Sequence, residues 1–437
     1  MRERVLYILL PLLLLSVESG YSQRTLTLEE CKDLAIESNH TLAERRLEVE
    51  MARQHHKELF TMYFPELSIS GSYSATTSPM LTTDIETASL PLPEMGLPAV
   101  LSLGMLDGGA VASLTAQQTL YGGGMVRNAN RLSSVGVEVS KLQYTLSADE
   151  VELKCEEYYM QCVKLSSKLQ IVETAMEQLE ELRRNVANYV EAGVANTNDL
   201  MRVEIELSKL EGDKLSASNG LLLSKLLLAQ HIGLTADSFE IADTANFEVR
   251  DPQIYLVDFN RAVDSSTEVA LLNKQIEANK LEVKIESGKR MPKVAVGGAY
   301  SYNNLLDKNN DFFVGMASVS IPITGWWSGS HKVKRAKMKE QQSITQYNDA
   351  AEQLHLQITH LYLSLTEHYQ QCRLASRRVA QAEENLRIHR EEYNAGHTQL
   401  VDLLDAQTLL QQCKDGETEC IIEYRIALSH YLQRADI

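Results

Sequence analysis

The stretch Tyr393–Ala406 reads Tyr-Asn-Ala-Gly-His-Thr-Gln-Leu-Val-Asp-Leu-Leu-Asp-Ala and separates two long helical patterns. Glycine readily takes the left-handed backbone conformation that ends a helix, and threonine often caps the start of the next one. Gly396 and Thr398 therefore predict the tip of a helical hairpin. Asp402 and Asp405 follow three residues apart, on one face of the first turns of the new helix.

The same spacing occurs earlier in the chain. Gly193 precedes Asp199 by six residues, as Gly396 precedes Asp402 (199 − 193 and 402 − 396). An offset of 227 residues also sets Pro292 on Pro65 (292 − 65). The offset aligns Gly71, Tyr73 and Ser74 with Gly298, Tyr300 and Ser301 without a gap. The sequence therefore predicts two structural repeats, 23–245 and 246–437, with tips near 193–199 and 396–402.

Charge and the first residues narrow the function classes. The 437-residue chain has a formal net charge of −17, which argues against a nucleic-acid partner because phosphates require a basic surface. Arg2 and Arg4 precede an apolar run, Val5–Leu15, and small or polar residues follow as far as Ser22. This order is typical of a secretory signal peptide, predicted for residues 1–22. The run is too short for a helix that spans a membrane.

Each repeat is predicted to contain a helix, two strands, a long helix, a tip and a return helix. The predicted strands cover about 66–76, 110–120, 293–302 and 312–323, and residues 75–108 are predicted to be a loop. In the first strand, apolar residues alternate with serines, which indicates two unlike surroundings. Strands of this length fit an outer membrane, but four cannot close a barrel and lipid does not tolerate open edges. Several chains must then share one barrel.

The long helices carry heptad-like apolar seams, which predict coiled-coil packing. The seam residues of the second repeat are spaced alternately four and three apart: Leu354, Ile358, Leu361, Leu365, His368, Cys372, Ala375, Val379, Ala382 and Leu386. In the first repeat, the seam of the long helix consists of Leu165, Leu169, Val172, Met176, Leu179, Val186 and Val190. The seam of the return helix consists of Leu200, Val203, Leu207 and Leu210.

The duplication, the two Gly-x5-Asp tips and the Pro-x5-Gly-x-Tyr-Ser strands resemble the TolC family of outer-membrane efflux proteins. The resemblance implies a mixed α and β membrane protein with four transmembrane β-strands per protomer. Three protomers would share a trimeric 12-stranded β-barrel, continued by a long periplasmic α-helical (coiled-coil) barrel. Such a protein lies in the cell outer membrane, in contact with outer-membrane lipid, and has a periplasmic helical extension.

The resemblance also implies a function without catalysis. The homotrimer would be the exit duct of a tripartite efflux or type I secretion system. It would passively conduct substrates that it receives from a periplasmic adaptor (membrane fusion protein) and an inner-membrane pump of the RND or ABC type. No catalytic residue, cofactor or metal is expected.

Site residues follow from the family motif. Asp402 and Asp405 resemble the acidic constriction at the periplasmic mouth, and Tyr393, Asn198, Asp199 and Thr398 are candidates for the network that closes it. Gly193, Val194, Gly396 and His397 are the tip residues expected to dock the adaptor. The family has an arginine two residues after the tip glycine, where this chain has Thr398, and Arg390, His397 or Arg202 could replace it. Asp199 and Asp402 could instead simply stabilise the positive helix ends.

Three alternatives remain open from the sequence. A periplasmic coiled-coil adaptor, or a structural protein of an envelope-spanning transport complex, would share the hairpins but lack lipid-facing strands. The pairs Glu37/His40 and Glu352/His355 could suggest a helical metalloprotein, although chance accounts for two such spacings. The six cysteines are either small core residues or partners in bridges. A Cys372–Cys420 disulfide is one possibility, since the two residues lie at similar distances from the second tip, and Cys31 with Cys155 is another.

Overall fold

A computed structural model describes residues 24–78, 81–86, 100–105, 108–242, 247–304, 309–323 and 325–436. The predicted signal peptide, 1–22, lies outside these residues. The chain divides into two compact units. Unit 1 comprises Met1–Ala43, Ala148–Asp258 and Ile358–Ile437, and unit 2 comprises Glu44–Ser147 and Phe259–Gln357.

Helices make up most of the described chain. They are α1 (Leu28–Ser38), α2 (His40–Phe60), α3 (Met125–Glu191), α4 (Thr197–Ile232), α5 (Phe259–Ser265), α6 (Thr267–Gly288), α7 (Gly325–Asn394) and α8 (Leu400–Arg434). Within the described ranges, no helix combines the length and the apolar character that crossing a membrane requires.

The strands form three separate sheets. They are β1 (Arg24–Leu26), β2 (Glu66–Ala75), β3 (Leu81–Glu86), β4 (Val100–Met105), β5 (Gly108–Gly122), β6 (Phe239–Ile241), β7 (Lys293–Asn303) and β8 (Asn310–Ser320). The main sheet, in unit 2, has the order β2-β5-β7-β8 and is antiparallel throughout. β3 pairs with β4, and β1 pairs in parallel with β6.

The main sheet is open at both edges and exposed on both faces. Among the described strands, β2 pairs only with β5 and β8 only with β7. All residues of β8 and all but one of β2 are exposed. On one face of β2, Ile69 is 83% exposed. On the other face the hydroxyls hydrogen-bond across to β5, with Ser68 Oγ 2.6 Å from Thr115 Oγ1. The sheet therefore has an apolar face and a hydroxyl-rich face, and no described element covers either face of β2 or β8.

The offset of 227 residues recurs in the element boundaries. Helices α2 and α6 begin at His40 and Thr267, and strands β2 and β7 begin at Glu66 and Lys293 (267 − 40 and 293 − 66). Helices α4 and α8 begin at Thr197 and Leu400, an offset of 203 (400 − 197) that equals the offset between the tip glycines (396 − 193). Apart from β3 and β4, which have no counterpart between β7 and β8 in the described chain, the two halves thus share the order helix, strand, strand, long helix and return helix.

The predicted seams are the cores of the helical hairpins. On α3, Val172 and Val186 are fully buried and pack with Val203 and Leu210 of α4. The α7 seam is buried from Leu354 to Leu386, except for Leu361 and His368, which are half-buried. The heptad pattern therefore predicted the inner faces of the hairpins correctly.

The structure differs from the predicted elements in three places. In place of the single first helix predicted for the repeat, the chain forms α1 and α2, because Asn39 Oδ1 accepts the Thr41 N–H at 2.9 Å and so starts α2 as a separate helix. The predicted loop 75–108 contains β3 and β4, and β5 begins at Gly108. β8 ends at Ser320 rather than 323.

A buried carboxylate ties three helices of unit 1 together. Glu156 on α3 is 2% exposed and accepts hydrogen bonds from Lys32 Nζ at 2.6 Å, Arg425 Nε at 3.1 Å and the Ser429 hydroxyl. Lys32 lies on α1, whereas Arg425 and Ser429 lie on α8. A buried charge is tolerated only when it is paired and hydrogen-bonded in this way.

Both tips end their first helix in the same way. Gly193 and Gly396 have φ values of 71° and 76°, which L-residues with side chains adopt only at a cost. The Val194 N–H donates to Tyr189 O at 2.8 Å, and the His397 N–H donates to Glu392 O at 2.9 Å. These are the bonds of a Schellman-type ending, which glycine permits.

Replacing Glu156 by glutamine should destabilise unit 1 by about 2 to 3 kcal/mol, because two cations lose their shared buried partner. The neighbouring Glu157→Gln is the matched control. Glu157 is 31% exposed and contacts Lys154 and His430 near the surface, so its loss should cost less than about 1 kcal/mol. Thermal unfolding followed by circular dichroism measures both. Equal effects would show that the buried cluster does not hold the helices.

Replacing Gly396 by alanine should destabilise the second hairpin by about 1 kcal/mol because of its positive φ. Gly416→Ala, in the interior of α8 with open space around it, should have the opposite sign and stabilise by up to about 1 kcal/mol. Chemical denaturation of the two variants makes the comparison. A Gly396→Ala protein as stable as Gly416→Ala would contradict the left-handed tip.

Candidate functional site at the hairpin tips

The two tip aspartates have the same structural role. Asn196 and Gln399 are the N-cap residues of α4 and α8, each three residues after its tip glycine. Asp199 and Asp402 stand at the third helical position of each helix. Asp199 Oδ2 accepts the Asn196 N–H at 3.4 Å, and Asp402 Oδ2 accepts the Gln399 N–H at 3.3 Å. The shared spacing of six is therefore the spacing of a left-handed ending followed by a capping box.

The prediction that Thr398 caps α8 is wrong. The cap is Gln399, one residue later, in the position that Asn196 has in the first tip. The Thr398 hydroxyl donates instead to Asp402 Oδ2 at 2.8 Å. Thr398 therefore supports the capping carboxylate from the side, and Asp402 accepts two hydrogen bonds within its own tip.

The side chains of Leu400–Ala406 lie on three faces of α8, since successive residues are about 100° apart around a helix axis. Leu400 and Leu404, 5% and 7% exposed, pack into the core of α3 and α4. Leu403 and Ala406 pack against Leu386 of α7. These four contacts fix the rotation of α8 about its axis.

The remaining face of the motif carries Asp402 and Asp405, and both side chains are exposed. The rotation of α8 directs them away from both packed faces. Asp402 is engaged in capping, whereas Asp405, one turn deeper, makes no hydrogen bond or ion pair with another residue in the described part of the chain. In the first tip the corresponding residue is Arg202 (405 − 203), also exposed. Helix capping therefore accounts for Asp402 but not for Asp405.

Tyr393 connects the two tips. Its ring is half-buried and contacts the core of α3 and α4 as well as the cluster of Leu386, Leu403 and Ala406. Burial raises the pKa of the Tyr393 hydroxyl, and the negative charge of Asp199 raises it further. Tyr393 of the second tip and Asp199 of the first, both predicted members of one network, thus lie close together.

The other predicted site residues lie on the surface of the tips. The Asn198 N–H donates to Asn196 Oδ1 at 3.2 Å within its own tip. Val194 is 79% exposed, and Gly193, Gly396 and His397 are exposed as well. Arg390 and Arg202, the suggested replacements for the family arginine, are also exposed. The tips therefore present accessible backbone and side chains.

The two leucines that join the hairpins, Leu400 and Leu404, were not among the site residues predicted from the sequence. Their spacing of four places them on one helix face, and this pattern is present in the sequence. The leucines are what orient the aspartates.

Within the described residues, no group of three or more His, Cys, Asp or Glu side chains is placed to hold a metal ion.

Comparisons with known proteins point to one family. Residues 259–418 match the family of outer membrane efflux proteins. This segment runs from α5 through the second tip and includes Asp402 and Asp405. No curated protein sequence matches the chain significantly.

Solved structures match nearly the whole chain. The outer membrane protein VceC of Vibrio cholerae matches with a TM-score of 0.73 and 15% identity, over 93% of this chain and 96% of that one. The CmeC outer membrane channel of Campylobacter jejuni matches with 0.74 and 15%, over 93% and 85%. The MtrE outer membrane channel of Neisseria gonorrhoeae, in its open state, matches with 0.75 and 15%, over 93% and 88%. The resemblance to the TolC family is confirmed: residues 259–418 are an outer membrane efflux protein domain, and the chain has the fold of outer-membrane channels of this family.

Proposed function

We propose that this protein is the outer-membrane exit duct of a tripartite efflux or type I secretion system. It forms a homotrimer and passively conducts substrates to the cell exterior. The family domain at 259–418 and the fold of outer-membrane channels support a role as an outer-membrane efflux channel. Because these relatives are channels, they also favour a role without catalysis.

One observation carries the proposal, namely the open main sheet. Its edges β2 and β8 leave backbone N–H and C=O groups without strand partners among the described residues. In lipid every such group must be satisfied within the protein. Pairing β8 of one copy with β2 of the next would close three sheets into a 12-stranded barrel (3 × 4), with Ile69 toward lipid and Ser68 toward a wet interior.

An exposed apolar stripe on α4 supports assembly from several copies. Val203 and Leu210 face the core, and the opposite side of α4 carries large apolar side chains that are at least half-exposed: Met201, Ile205, Leu215, Leu222 and Leu226. Burying each would contribute about 1 kcal/mol or more. A stripe of this size on a protein surface marks an interaction site. We assign it to a neighbouring copy in the helical barrel.

The proposed location is the outer membrane, with the hairpins in the periplasm. Phe60 stacks edge-on against Tyr63 and Phe64, with ring centroids 5.5 and 5.9 Å apart. All three rings are exposed and lie just before β2. Aromatic side chains favour the boundary between lipid and water. The cluster thus suits the membrane interface at the periplasmic end of the strands.

The two tips form the mouth of the proposed duct. Three copies would bring six carboxylates of Asp402 and Asp405 around one axis (3 × 2), an acidic constriction that favours cations. Tyr393 near Asp199 supports a closing network that links the tips within one protomer. Asn198 and Thr398 are further proposed members, Thr398 through its hydrogen bond to Asp402.

The tip residues Gly193, Val194, Gly396 and His397 are proposed to dock the periplasmic adaptor, and an inner-membrane pump of the RND or ABC type would supply the substrate. Their exposure and the two repeated tips support this assignment. Each repeat, 23–245 and 246–437, would then contribute one docking hairpin.

A soluble adaptor is the competing proposal, because it too would use coiled-coil hairpins. It has no use for a sheet with an exposed apolar face. Ile69, Tyr73 and Phe313 are more than 70% exposed, and a soluble protein would leave these side chains in water. The sheet therefore favours the duct.

Replacing both Asp402 and Asp405 by alanine should reduce the cation preference of the pore. It should also weaken block by a trivalent cation at least about tenfold, because six negative charges leave the mouth. Conductance across a planar lipid bilayer measures both quantities for the wild type and the double variant. A wild-type protein that forms no conducting pore would refute the proposed function.

Asp199→Asn is the control, since it changes the equivalent capping residue of the first tip. It should retain block by the trivalent cation. The single variant Asp405→Asn, which leaves the α8 cap intact, should account for part of the lost block. If the double variant behaves like the wild type, neither aspartate forms part of a constriction.

A further inference from the structure

Two thiols face each other across the second hairpin. Cys372 of α7 is 5% exposed, and the thiol of Cys420 on α8 lies near enough to raise its pKa. Cys420 is half-buried. All six cysteines lie in the described residues, and none is joined to another in a disulfide. The other four lie elsewhere: Cys31 on α1, Cys155 and Cys162 on α3, and Cys413 on α8.

The register of the hairpin holds this pair in place from both sides. Lys414 Nζ lies 3.1 Å from Glu383, and His368 Nδ1 lies 3.6 Å from Glu423, so polar contacts between the two helices occur before and after the cysteines. Cys372 precedes Gly396 by 24 residues and Cys420 follows it by 24 (396 − 372 and 420 − 396). The antiparallel helices therefore keep the two thiols opposite each other.

The reduced contact contributes little by itself. Burial raises the pKa of Cys372 to about 12, and burial also raises the pKa of Cys420, so both groups are thiols at neutral pH. A thiol is a weak donor and a weak acceptor. Most of the stabilisation that this position can provide would come from a covalent bond.

We propose that Cys372 and Cys420 form an interhelix disulfide in the exported protein. The inference rests on the proposed outer-membrane function, which places the chain in an oxidising compartment. Cys31 and Cys155, the other predicted pair, are both fully buried, so an external oxidant reaches neither thiol. Cys155 and Cys162 are seven residues apart on one helix, about 10 Å along its axis, too far for a bond.

The oxidant is a protein or peptide disulfide. Cys420, the more exposed of the two, first loses its proton to solvent, and its thiolate attacks one sulfur of that disulfide, forms a mixed disulfide and releases the other sulfur as a thiolate, which is protonated. The Cys372 thiol then loses its proton, and its thiolate attacks Cys420 Sγ and displaces the second thiolate, which is protonated in turn. Two protons and two electrons pass from the cysteines to the oxidant, which ends as two thiols.

The bond would close a loop of 47 intervening residues that contains the whole second tip (420 − 372 − 1). Helices α7 and α8 could then no longer slide past each other or separate at this level. Asp402 and Asp405 would keep their position relative to α7, and any movement at the proposed mouth would displace the hairpin as one body.

The test uses the full chain, purified in detergent without reductant and treated with oxidised glutathione. Remaining thiols are alkylated under denaturing conditions, and peptides are identified by mass spectrometry. We expect a reducible peptide that links Cys372 to Cys420 and four alkylated cysteines. Six alkylated cysteines, or a link between other residues, would overturn the inference.

Reduction of the wild type should lower its midpoint of thermal unfolding, a comparison that needs no variant. Cys372→Ser should leave Cys420 alkylated and remove this difference, whereas Cys413→Ser should keep both the link and the difference. An unchanged midpoint on reduction of a linked sample would overturn the clamping role. Conductance is measured separately, so a conducting protein with six thiols contradicts only the disulfide, and a linked protein without conductance contradicts only the duct.

Discussion

The backbone N–H and C=O groups at the outer edges of β2 and β8, which no described strand pairs, impose the main constraint on this structure. A strand at the edge of a sheet presents a row of unpaired N–H and C=O groups, which proteins normally cover, twist away or charge. Here the edge strands are ten and eleven residues long, and the sheet they bound has an exposed apolar face. Neither water nor lipid suits such a sheet on its own. The simplest way to satisfy both edges is to pair β8 of one copy with β2 of the next.

The helical part faces the same requirement with side chains instead of backbone groups. The side chains of its inner seams are buried within the protomer, as at Val172 and Val203. The side chains of the outer stripe, which includes Leu215 and Leu222, remain exposed. A closed arrangement of copies would bury this stripe and pair the sheet edges together. The tips depend on that arrangement too, because Asp402 and Asp405 can form a constriction only when several copies converge.

Periodic features of the fold were predictable from the sequence. The heptad seams, the strand alternation in β2 and the glycine that ends each long helix all follow from one-dimensional patterns, since helix and strand geometry repeat at fixed intervals. Features decided by a single hydrogen bond were less accessible. The prediction that Thr398 caps α8 is wrong because the spacing from the tip glycine places Gln399 at the helix start. The helix break at Asn39 depends on one side-chain oxygen.

Tertiary contacts limited the prediction of the site. Leu400 and Leu404 were visible as a spaced pair, but only packing against α3 and α4 shows which face they occupy. β3 and β4 were missed because their surroundings are rich in residues typical of loops. The charge of Asp199 raises the pKa of Tyr393, although the two residues are almost two hundred residues apart (393 − 199). Duplication made that proximity foreseeable, since equivalent tips of two packed hairpins end at the same level.

The number of chains in one detergent-solubilised particle tests the central claim most directly. Mass measurement of the purified protein, with bound detergent accounted for, gives this number without a partner or a substrate. Closure of the sheet edges predicts three chains per particle, stable in mild detergent. A folded, monodisperse monomer would contradict the account, because it would show that the edges of β2 and β8 need no neighbouring copy.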